Sequence, residues 1–316
     1  MKIRIFIHFS VLISIWARYN VYRVIQASAI YLFREGSSVE RVVGVDIGCT
    51  KMYLYAQVNG EHVEQKVSTG LDCPREQLKH DIDTFLEGLP FVPEGLGMAV
   101  PGLVEGDSRV KFSDISSLTG ITTDYFGGGR FPVRFINDVK SAAVAETVNY
   151  TDKDTIAVIM AGSGIALGVY SKERMFTGAH GFAGELGYCV TATENGPKTL
   201  DSVAGGIGIL MQAGCGIEEF LERISIKDPG TEKLLAEAGF HFGLALTNVI
   251  HLFNPDVIVV GGSTATYPGY MEQALETAQK HTLPDMFNHC LIAPAKDNKR
   301  IVALGAMEYM RSGMLL

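Results

Sequence analysis

Runs of apolar residues separated by turn signals predict a β-rich start to the chain. Residues 42–48 (VVGVDIG) form a continuous apolar run, and two further strand-like runs, KMYLYAQV and EHVEQKVS, flank Asn59-Gly60. Asn-Gly between two such runs is a strong hairpin signal. The apolar spacing then predicts four elements in order: a helix over 75–89, strands over 96–100 and 133–136, and a helix over 139–148.

The same pattern starts again in the second half of the chain. Two strands are predicted on either side of Ala161-Gly162-Ser163-Gly164, and a long helix is followed by a strand that ends in Gly261-Gly262. The predicted bounds are strands 155–160 and 166–170, helix 231–253, strand 257–260, and a final strand-to-helix step over 301–310.

This repeated order predicts an α/β fold with two domains, residues 41–154 and 155–316, and a cleft between them. Whether the last helix returns to the first domain is left open. Ligands of open α/β sheets bind at the carboxyl ends of strands, so we expect the two glycine-rich strand ends to face each other across the cleft.

Composition is that of an ordinary globular protein. The 316 residues are 47% hydrophobic and 20% charged, which excludes a largely disordered chain. A net charge of −8 provides no domain-wide basic surface, so no nucleic-acid partner is expected. The five cysteines are widely spaced without a C-x-x-C pair, which favours free thiols over a disulfide framework.

Residues 1–40 have a net charge of +3, whereas the remainder of the chain has a net charge of −11. The apolar run 3–17 is interrupted by Arg4 and His8 and is shorter than the roughly 20 residues that span a bilayer, so no stable membrane insertion is expected. Arg18 and Arg23 argue against a signal peptide. A mis-assigned start, with Val39 as the first residue, and a loosely attached tail both stay open.

The segment Asp46-Ile47-Gly48-Cys49-Thr50-Lys51 has residue types suited to phosphate. Gly48 lets the backbone turn tightly, and Thr50 offers a hydroxyl and N–H groups. Asp46 is placed to hold Mg²⁺ through water, because Mg²⁺ keeps most of its waters and takes few carboxylates. A simple hairpin turn is the alternative for this segment alone.

Gly162-Ser163-Gly164 is a second glycine-rich turn whose N–H groups can form an anion-binding nest. Two such turns, each opening a hairpin, are a stronger signal together than either alone. The P-loop pattern G-x-x-x-x-G-K-[ST] is absent, and no G-x-G-x-x-G follows a strand, which disfavours P-loop and Rossmann sites.

Several segments resemble, in family order, the ROK family of sugar kinases and sugar-responsive repressors, within the hexokinase–actin ATPase superfamily. They are GVDIGCTK (44–51), MAVPGLV (98–104), INDVKSAAVAE (136–146), AGSGIALGV (161–169), GAHGFAGELGY (178–188), LFNPDVIVVGG (252–262) and ALGAM (303–307). The resemblance covers residues 41–310. It implies two actin-like ATPase (ribonuclease H-like) domains, ATP and Mg²⁺ as cofactors, a sugar substrate, a homodimer and a cytoplasmic location.

The resemblance also implies roles for individual residues. Asp138 matches the family's catalytic base, which accepts a proton from the attacking sugar hydroxyl; the alternative for Asn137-Asp138 is a helix N-cap. Sugar contacts are implied for Asn137, Glu185, Asp201, Tyr188 and Gly102. Phosphate or nucleotide contacts are implied for Asp46, Gly48, Thr50, Lys51, Gly162, Ser163 and Gly164, with Gly261 and Gly262 beside the adenosine.

The sequence departs from the family at three places. Tyr188 stands where a His is usual, and residues 191–199 replace the usual zinc-binding cysteine cluster, so no zinc site is expected. Cys49 stands in the usual Gly-Gly-Thr, where its Cβ would restrict the backbone if φ were positive and would crowd the phosphates.

The resemblance therefore predicts ATP-dependent phosphorylation of a hexose or N-acetylhexosamine at its primary hydroxyl. The segments GAHGFAGELG and STATYPGYME lean towards allose kinases. The alternative is a non-catalytic sugar-binding regulator. Repressors of the family add a helix-turn-helix, for which residues 1–40 are too few and too apolar.

Overall fold

The computed structural model describes residues 41–172 and 174–312, so the predictions for residues 1–40 lie outside it. The first half of the described chain contains seven strands and three helices. They are β1 (Val42–Ile47), β2 (Lys51–Val58), β3 (Glu61–Ser68), α1 (Arg75–Glu87), β4 (Gly95–Val100), β5 (Leu103–Glu105), β6 (Arg109–Phe112), α2 (Asp124–Gly127), β7 (Val133–Asn137) and α3 (Asp138–Thr147).

The second half again contains seven strands among its described residues, with more helices. They are β8 (Thr155–Ala161), β9 (Ile165–Ser171), β10 (Arg174–Met175), β11 (Val190–Thr193), β12 (Gly196–Thr199), α4 (Leu200–Ala204), α5 (Gly206–Ala213), α6 (Ile217–Ser225), α7 (Pro229–Phe253), β13 (Val257–Gly261), α8 (Tyr270–His281), α9 (Pro284–His289), β14 (Leu291–Pro294) and α10 (Ile301–Ser312).

Two five-stranded sheets share one topology. The first has the order β3-β2-β1-β4-β7, and the second has the order β10-β9-β8-β13-β14. In each sheet the first three strands of the chain are antiparallel, and the strands added on the other side are parallel to the first. The predicted repeat of a hairpin followed by α/β units is confirmed at the level of sheet order.

The predicted hairpin at Asn59-Gly60 is confirmed. Val58 pairs with Glu61, and the two turn residues have φ of 50° and 85°. Asn and Gly tolerate these positive values, which suit the right-handed twist of the flanking strands. The turn therefore fixes the register of β2 and β3 over all eight pairs.

Helices α3 and α10 are packed between the two sheets. One apolar cluster joins Ala99 and Ile136 of the first sheet, Val158 and Val259 of the second, and residues of both helices. The two helices approach closely at Gly305, where an added Cβ would overlap the carbonyl oxygen of Ser141. Two further clusters cover the other faces of the sheets.

The predicted strand-to-helix step over 301–310 is wrong in its first part. Residues Ile301–Ser312 form one helix, and the edge strand is the earlier Leu291–Pro294. The helix contacts β1 and β4 of the first sheet and also α3. The described residues from 41 onwards form one compact unit, so the predicted boundary between residues 154 and 155 stays a prediction.

Candidate functional site

Parallel pairing brings three strand ends of the first sheet to one edge. β1, β4 and β7 run parallel, with Asp46 paired to Ala99 and Val100 paired to Asn137. Asp46 lies near the end of β1, Gly102 follows β4, and Asp138 begins α3 directly after β7. Residues from three predicted motifs therefore meet at the carboxyl edge of this sheet, where open α/β sheets bind ligands.

Asn137 positions the start of α3. Its Oδ1 accepts a hydrogen bond from the backbone N–H of Lys140 at 3.3 Å, and its Nδ2 donates to the carbonyl oxygen of Gly102 at 2.9 Å. Asn137 is thus the N-cap of α3, which is the alternative that the sequence offered for Asn137-Asp138. Asp138 is the first helical residue, and its Oδ1 accepts from the Val139 N–H at 2.8 Å. The cap holds the Asp138 carboxylate at the sheet edge.

Acidic side chains converge on Asp138. Burial raises its pKa to about 6, with further increases from the negative charges of Asp114 and Glu185. Burial also raises the pKa of Asp46 to about 7, and the charge of Asp138 adds to this while Lys51 opposes it. A carboxylate whose pKa lies near neutral pH is suited to accept a proton as a general base.

The loop before Glu185 depends on glycine. Gly184 has φ of 105°, and a Cβ there would overlap the carbonyl oxygen of Leu167. The Gly184 carbonyl accepts from the Leu167 N–H at 2.8 Å, which ties the loop to β9. A 3₁₀ turn, Leu186–Tyr188, follows Glu185.

A cavity lies between the start of α3 and the Glu185 loop. Its walls come from the β4 end, the β7–α3 junction and the loop. The lining residues are Gly102, Leu103, Asn137, Val139, Lys140, Gly181, Phe182, Ala183, Gly184 and Glu185. It brings together three residues with predicted sugar contacts: Gly102, Asn137 and Glu185.

The first glycine-rich turn is closed by a hydrogen bond from the Gly48 N–H to the Lys51 carbonyl at 2.9 Å. Thr69, directly after β3, supports the turn, because its hydroxyl donates to the Gly48 carbonyl at 2.6 Å. Cys49 is not among the residues with positive φ, and its side chain packs against the core of the first sheet. The backbone strain expected at Cys49 is therefore absent from this turn.

The second turn is held by three neighbouring segments. Asp201 accepts a hydrogen bond from the Ile165 N–H at 2.6 Å, and the hydroxyl of Thr264 donates to the Gly162 carbonyl at 2.8 Å. The N–H groups of Gly206 and Ile207, at the start of α5, donate to the carbonyls of Gly162 and Ser163. One Asp201 oxygen is thus engaged in the turn, and its predicted sugar contact stays a prediction.

The Gly261-Gly262 turn lies against the second turn. Gly262 has φ of 96°, and a Cβ there would overlap the carbonyl oxygen of Ala161. Its N–H donates to the Oδ1 of Asn298 at 2.7 Å. Beside this pair of turns lies an open, largely apolar groove lined by Ile207, Leu210, Met211, Gly214, Cys215 and Gly216.

Tyr188 and the segment 191–199 lie at the outer side of the loop. The Tyr188 side chain is 72% exposed, and Cys189 is exposed as well. The segment forms the two-stranded hairpin of β11 and β12. Among the described residues, no group of three or more His, Cys, Asp or Glu is arranged to hold a metal ion.

The site also contains residues that the sequence motifs do not single out. Asp114 acts electrostatically on Asp138, Cys49 and Glu185, although it lies in an irregular segment without a motif. Thr264 and Asn298 brace the two turns of the second sheet. Lys140 lies inside a family-like segment, but only the fold shows that it lines the cavity.

The described residues fit a nucleoside triphosphate with a divalent cation. A Cβ at Gly162 would meet no atom within 4 Å, so space is open beside this turn, while the Gly162 N–H itself donates to the Gly164 carbonyl at 2.9 Å. Asp46 and Asp138 are close enough for the charge of Asp138 to raise the proton affinity of Asp46, an arrangement that a divalent cation would stabilise. A site with only one or two protein carboxylates suits Mg²⁺, because this ion takes its other ligands from water and phosphate.

Within residues 41–172 and 174–312, no helix has the length and apolar character needed to cross a membrane.

Comparison with known proteins identifies both a repressor and a kinase among the relatives. The xylose repressor of Bacillus spizizenii is 26% identical over 291 residues, covering 83% of this chain and 75% of that protein. The N-acetyl-D-glucosamine kinase of Escherichia coli O6:H1 is 25% identical over 281 residues, covering 76% of this chain and 90% of that protein.

A solved structure supports the fold. The ROK family glucokinase from Streptomyces griseus, in complex with glucose and AMPPNP, matches with a TM-score of 0.70 at 20% identity, covering 86% of this chain and 99% of that one. The predicted α/β fold with two actin-like ATPase domains is confirmed. A family profile matches residues 42–312, and the chain belongs to the ROK family.

Proposed function

We propose that this protein is an ATP-dependent sugar kinase that phosphorylates the primary hydroxyl of a hexose or N-acetylhexosamine. The observation that carries the proposal is Asp138, whose pKa is raised to about 6 and whose chain neighbours Asn137 and Val139 line a cavity together with Glu185. A pure sugar binder has no need of a base there, whereas phosphoryl transfer to a hydroxyl does.

In this mechanism the sugar lies between α3 and the Glu185 loop, where the cavity of about 10 Å³ has to widen to admit a hexose. Glu185 accepts hydrogen bonds from sugar hydroxyls, and Asn137 orients the sugar beside Asp138. Asp138 takes the proton of the attacking hydroxyl as the new O–P bond forms and the bond to the leaving ADP breaks. The phosphates are held by those N–H groups of the two glycine-rich turns that are not bonded within the turns, and Asp46 would hold Mg²⁺ through water. When bound, Mg²⁺ would neutralise the phosphate charge that develops during transfer.

The nucleotide base has a place beside the second sheet. The apolar groove of α5 begins at Ile207, whose N–H donates to the Ser163 carbonyl at 2.9 Å. A base in this groove would be continuous with phosphates at Gly162 to Gly164, next to Gly261-Gly262. We further propose D-allose as the first sugar to test. We also propose that the protein forms a homodimer and works in the cytoplasm, where ATP is supplied.

The second candidate is a sugar-binding regulator without catalysis. It is favoured by the xylose repressor relative and by the departures Cys49 and Tyr188. The two functions differ in turnover and not in sugar binding, because both need the cavity.

The discriminating experiment is an ADP-release assay over glucose, allose, mannose, fructose, the two N-acetylhexosamines and xylose, run beside sugar-binding calorimetry. A kinase releases ADP with at least one hexose. Xylose in its pyranose form lacks the primary hydroxyl and serves as the non-acceptor control. Sugar binding without ADP release on any member of the panel would contradict the kinase proposal and support the regulator.

The raised pKa of Asp138 predicts an acid limb in the pH dependence of kcat/KM. Asp138 must be deprotonated to act as a base, so activity should be lost as the pH falls through about 6. An unperturbed aspartate, with a pKa of about 3.9, would put that limb roughly two units lower. Rates measured from pH 4.5 to 8.5 under constant ionic strength check this, and a profile flat down to pH 5 would contradict it.

Gly162→Ala is expected to fold normally but to weaken ATP binding. Its Cβ meets no protein atom within 4 Å, so the protein itself tolerates the methyl group. The methyl would stand in the space proposed for phosphate, and we expect KM for ATP to rise by about tenfold, with a smaller effect on KM for sugar.

Gly88→Ala is the matched control for this variant. It ends α1 with φ of −76°, and an added Cβ would make only ordinary van der Waals contacts. Equal KM values for ATP in the two variants would show that Gly162 does not border the phosphates.

A further inference from the structure

Lys140 is an almost fully buried lysine beside the candidate sugar cavity. It is 7% exposed, and burial lowers the pKa of its ammonium group. A buried charge is costly unless it is paired and hydrogen-bonded. Its Nζ donates to the carbonyl oxygen of Gly181 at 2.7 Å, and the residue lines the same cavity as Asn137 and Glu185.

This hydrogen bond joins two parts of the site. Lys140 lies on α3, two residues after Asp138, and its own backbone N–H is bonded to the cap Asn137. Gly181 lies in the loop that leads to Glu185. The bond therefore runs from the helix that carries Asp138, the candidate base, to the loop that carries Glu185, the candidate acceptor of hydrogen bonds from the sugar.

From within, the loop is held by the hydrogen bond from the Ala183 N–H to the Thr177 carbonyl at 3.1 Å, and it is bonded to β9 at Gly184. Gly178, Gly181 and Gly184 all have positive φ, with values of 71°, 84° and 105°. Glycine has the largest conformational freedom to lose, so a segment built on three of them needs outside contacts to hold one shape. Lys140 supplies such a contact from the rigid helix α3.

Lys140 also supplies charge. Burial raises the pKa of the Glu185 carboxyl, the ammonium group of Lys140 opposes this rise, and the charges of Asp114 and Asp201 add to it. Glu185 in turn raises the pKa of Lys140. On the helix itself, Asp138 is a further negative charge that interacts with Glu185.

We propose that Lys140 is a positioning residue for Glu185: it ties the Glu185 loop to α3 and sets a positive charge opposite the carboxylate that accepts the sugar hydroxyls. The catalytic consequence of this role rests on the proposed function. The hydrogen bond to the Gly181 carbonyl and the positive charge beside Glu185 are both present in the protein without any ligand.

The first test uses the protein without ligand. Lys140→Met removes the tie and the charge, whereas Lys140→Gln removes the charge and keeps a donor for the Gly181 carbonyl. We expect amide hydrogen exchange over residues 178–186 to become about fivefold faster in Lys140→Met and to change less in Lys140→Gln, as loss of one hydrogen bond predicts. Lys233→Met, which removes an exposed lysine on α7, is the control.

The charge is tested by carboxyl ¹³C NMR, with the Glu185 resonance assigned from Glu185→Gln. Both Lys140 variants should raise the pKa of Glu185 further, because each removes a nearby cation. The Gln variant carries this test if the Met variant does not fold. Unchanged exchange in the loop together with an unchanged Glu185 pKa would overturn the proposal.

The catalytic consequence is measured on the sugar that the wild type phosphorylates. We expect KM for sugar in the Lys140 variants to rise about tenfold at pH 5.5 and less at pH 8, with kcat within about twofold, because Glu185 binds sugar as a carboxylate. A loss of kcat at unchanged KM would contradict positioning through Glu185. If the wild type neither binds nor phosphorylates a sugar, the proposed function fails, and the measurements without ligand still decide the role of Lys140.

Discussion

Replacement of Asp138 by Asn is expected to lower kcat by about 10²–10⁴-fold, while the Kd for sugar changes by less than about threefold. The amide keeps the size of the carboxylate, and its oxygen can still accept from the Val139 N–H, as Oδ1 of Asp138 does at 2.8 Å. It cannot accept the proton of the sugar hydroxyl. The variant therefore separates chemistry from binding, and calorimetry beside steady-state kinetics measures both.

The same variant should be more stable than the wild type at pH 8. The pKa of Asp138 is about 6 in the folded protein, above its ordinary value of 3.8, so its negative charge opposes folding when the pH is above both values. Neutral Asn removes this cost, and we expect a gain on the order of 1–3 kcal/mol in the free energy of unfolding. The gain should disappear as the pH falls below about 4, where both states are protonated.

An inactive Asp138→Asn variant that is also less stable at pH 8 would contradict the account, because loss of activity would then follow from damage to the fold. Full activity in Asp138→Asn would contradict it more directly. Urea unfolding at pH 8 and pH 4 provides the comparison.

Gly305→Ala is expected to lower the free energy of unfolding by about 2–4 kcal/mol, or to prevent folding. A Cβ at this position would overlap the carbonyl oxygen of Ser141, where α10 crosses α3 between the two sheets. Both sides of this contact are helix backbone, so neither can move without shifting a helix. The usual gain from replacing glycine by alanine in a helix, about 1 kcal/mol, is too small to offset the overlap.

Gly88→Ala is the control here as well, because its added Cβ has ordinary contacts. Thermal and urea unfolding of both variants measure the difference. A Gly305→Ala variant as stable as Gly88→Ala would show that α3 and α10 do not approach as closely as described.

The strands near the candidate site could be predicted from sequence because their signals are local. The apolar run 42–48 and the Asn59-Gly60 turn define β1, β2 and β3 nearly to the residue. The start of α10 was not predictable in this way. Ile301, Ala303 and Ala306 are all buried because the helix packs against a sheet and against α3, and such a run has no clear helical period.

The candidate site divides in the same manner. The first glycine-rich turn and Asn137-Asp138 lie at ends of parallel strands in one sheet, so their grouping follows from parallel pairing. Asp114 lies outside the motifs, and Lys140, although it stands in a family-like segment, reaches the cavity only through tertiary packing. The effect of Cys49 also needed the structure, since it depends on the sign of one dihedral angle.

The most direct test of the proposed kinase is identification of the reaction product. Wild-type protein, ATP, Mg²⁺ and the responsive sugar should yield one sugar monophosphate per ADP, with the phosphate on the primary hydroxyl by ³¹P and ¹³C NMR. The Asp138→Asn variant should yield none on the same timescale. Sugar that binds but stays unmodified, or ADP that appears with inorganic phosphate and no sugar phosphate, would contradict the proposal.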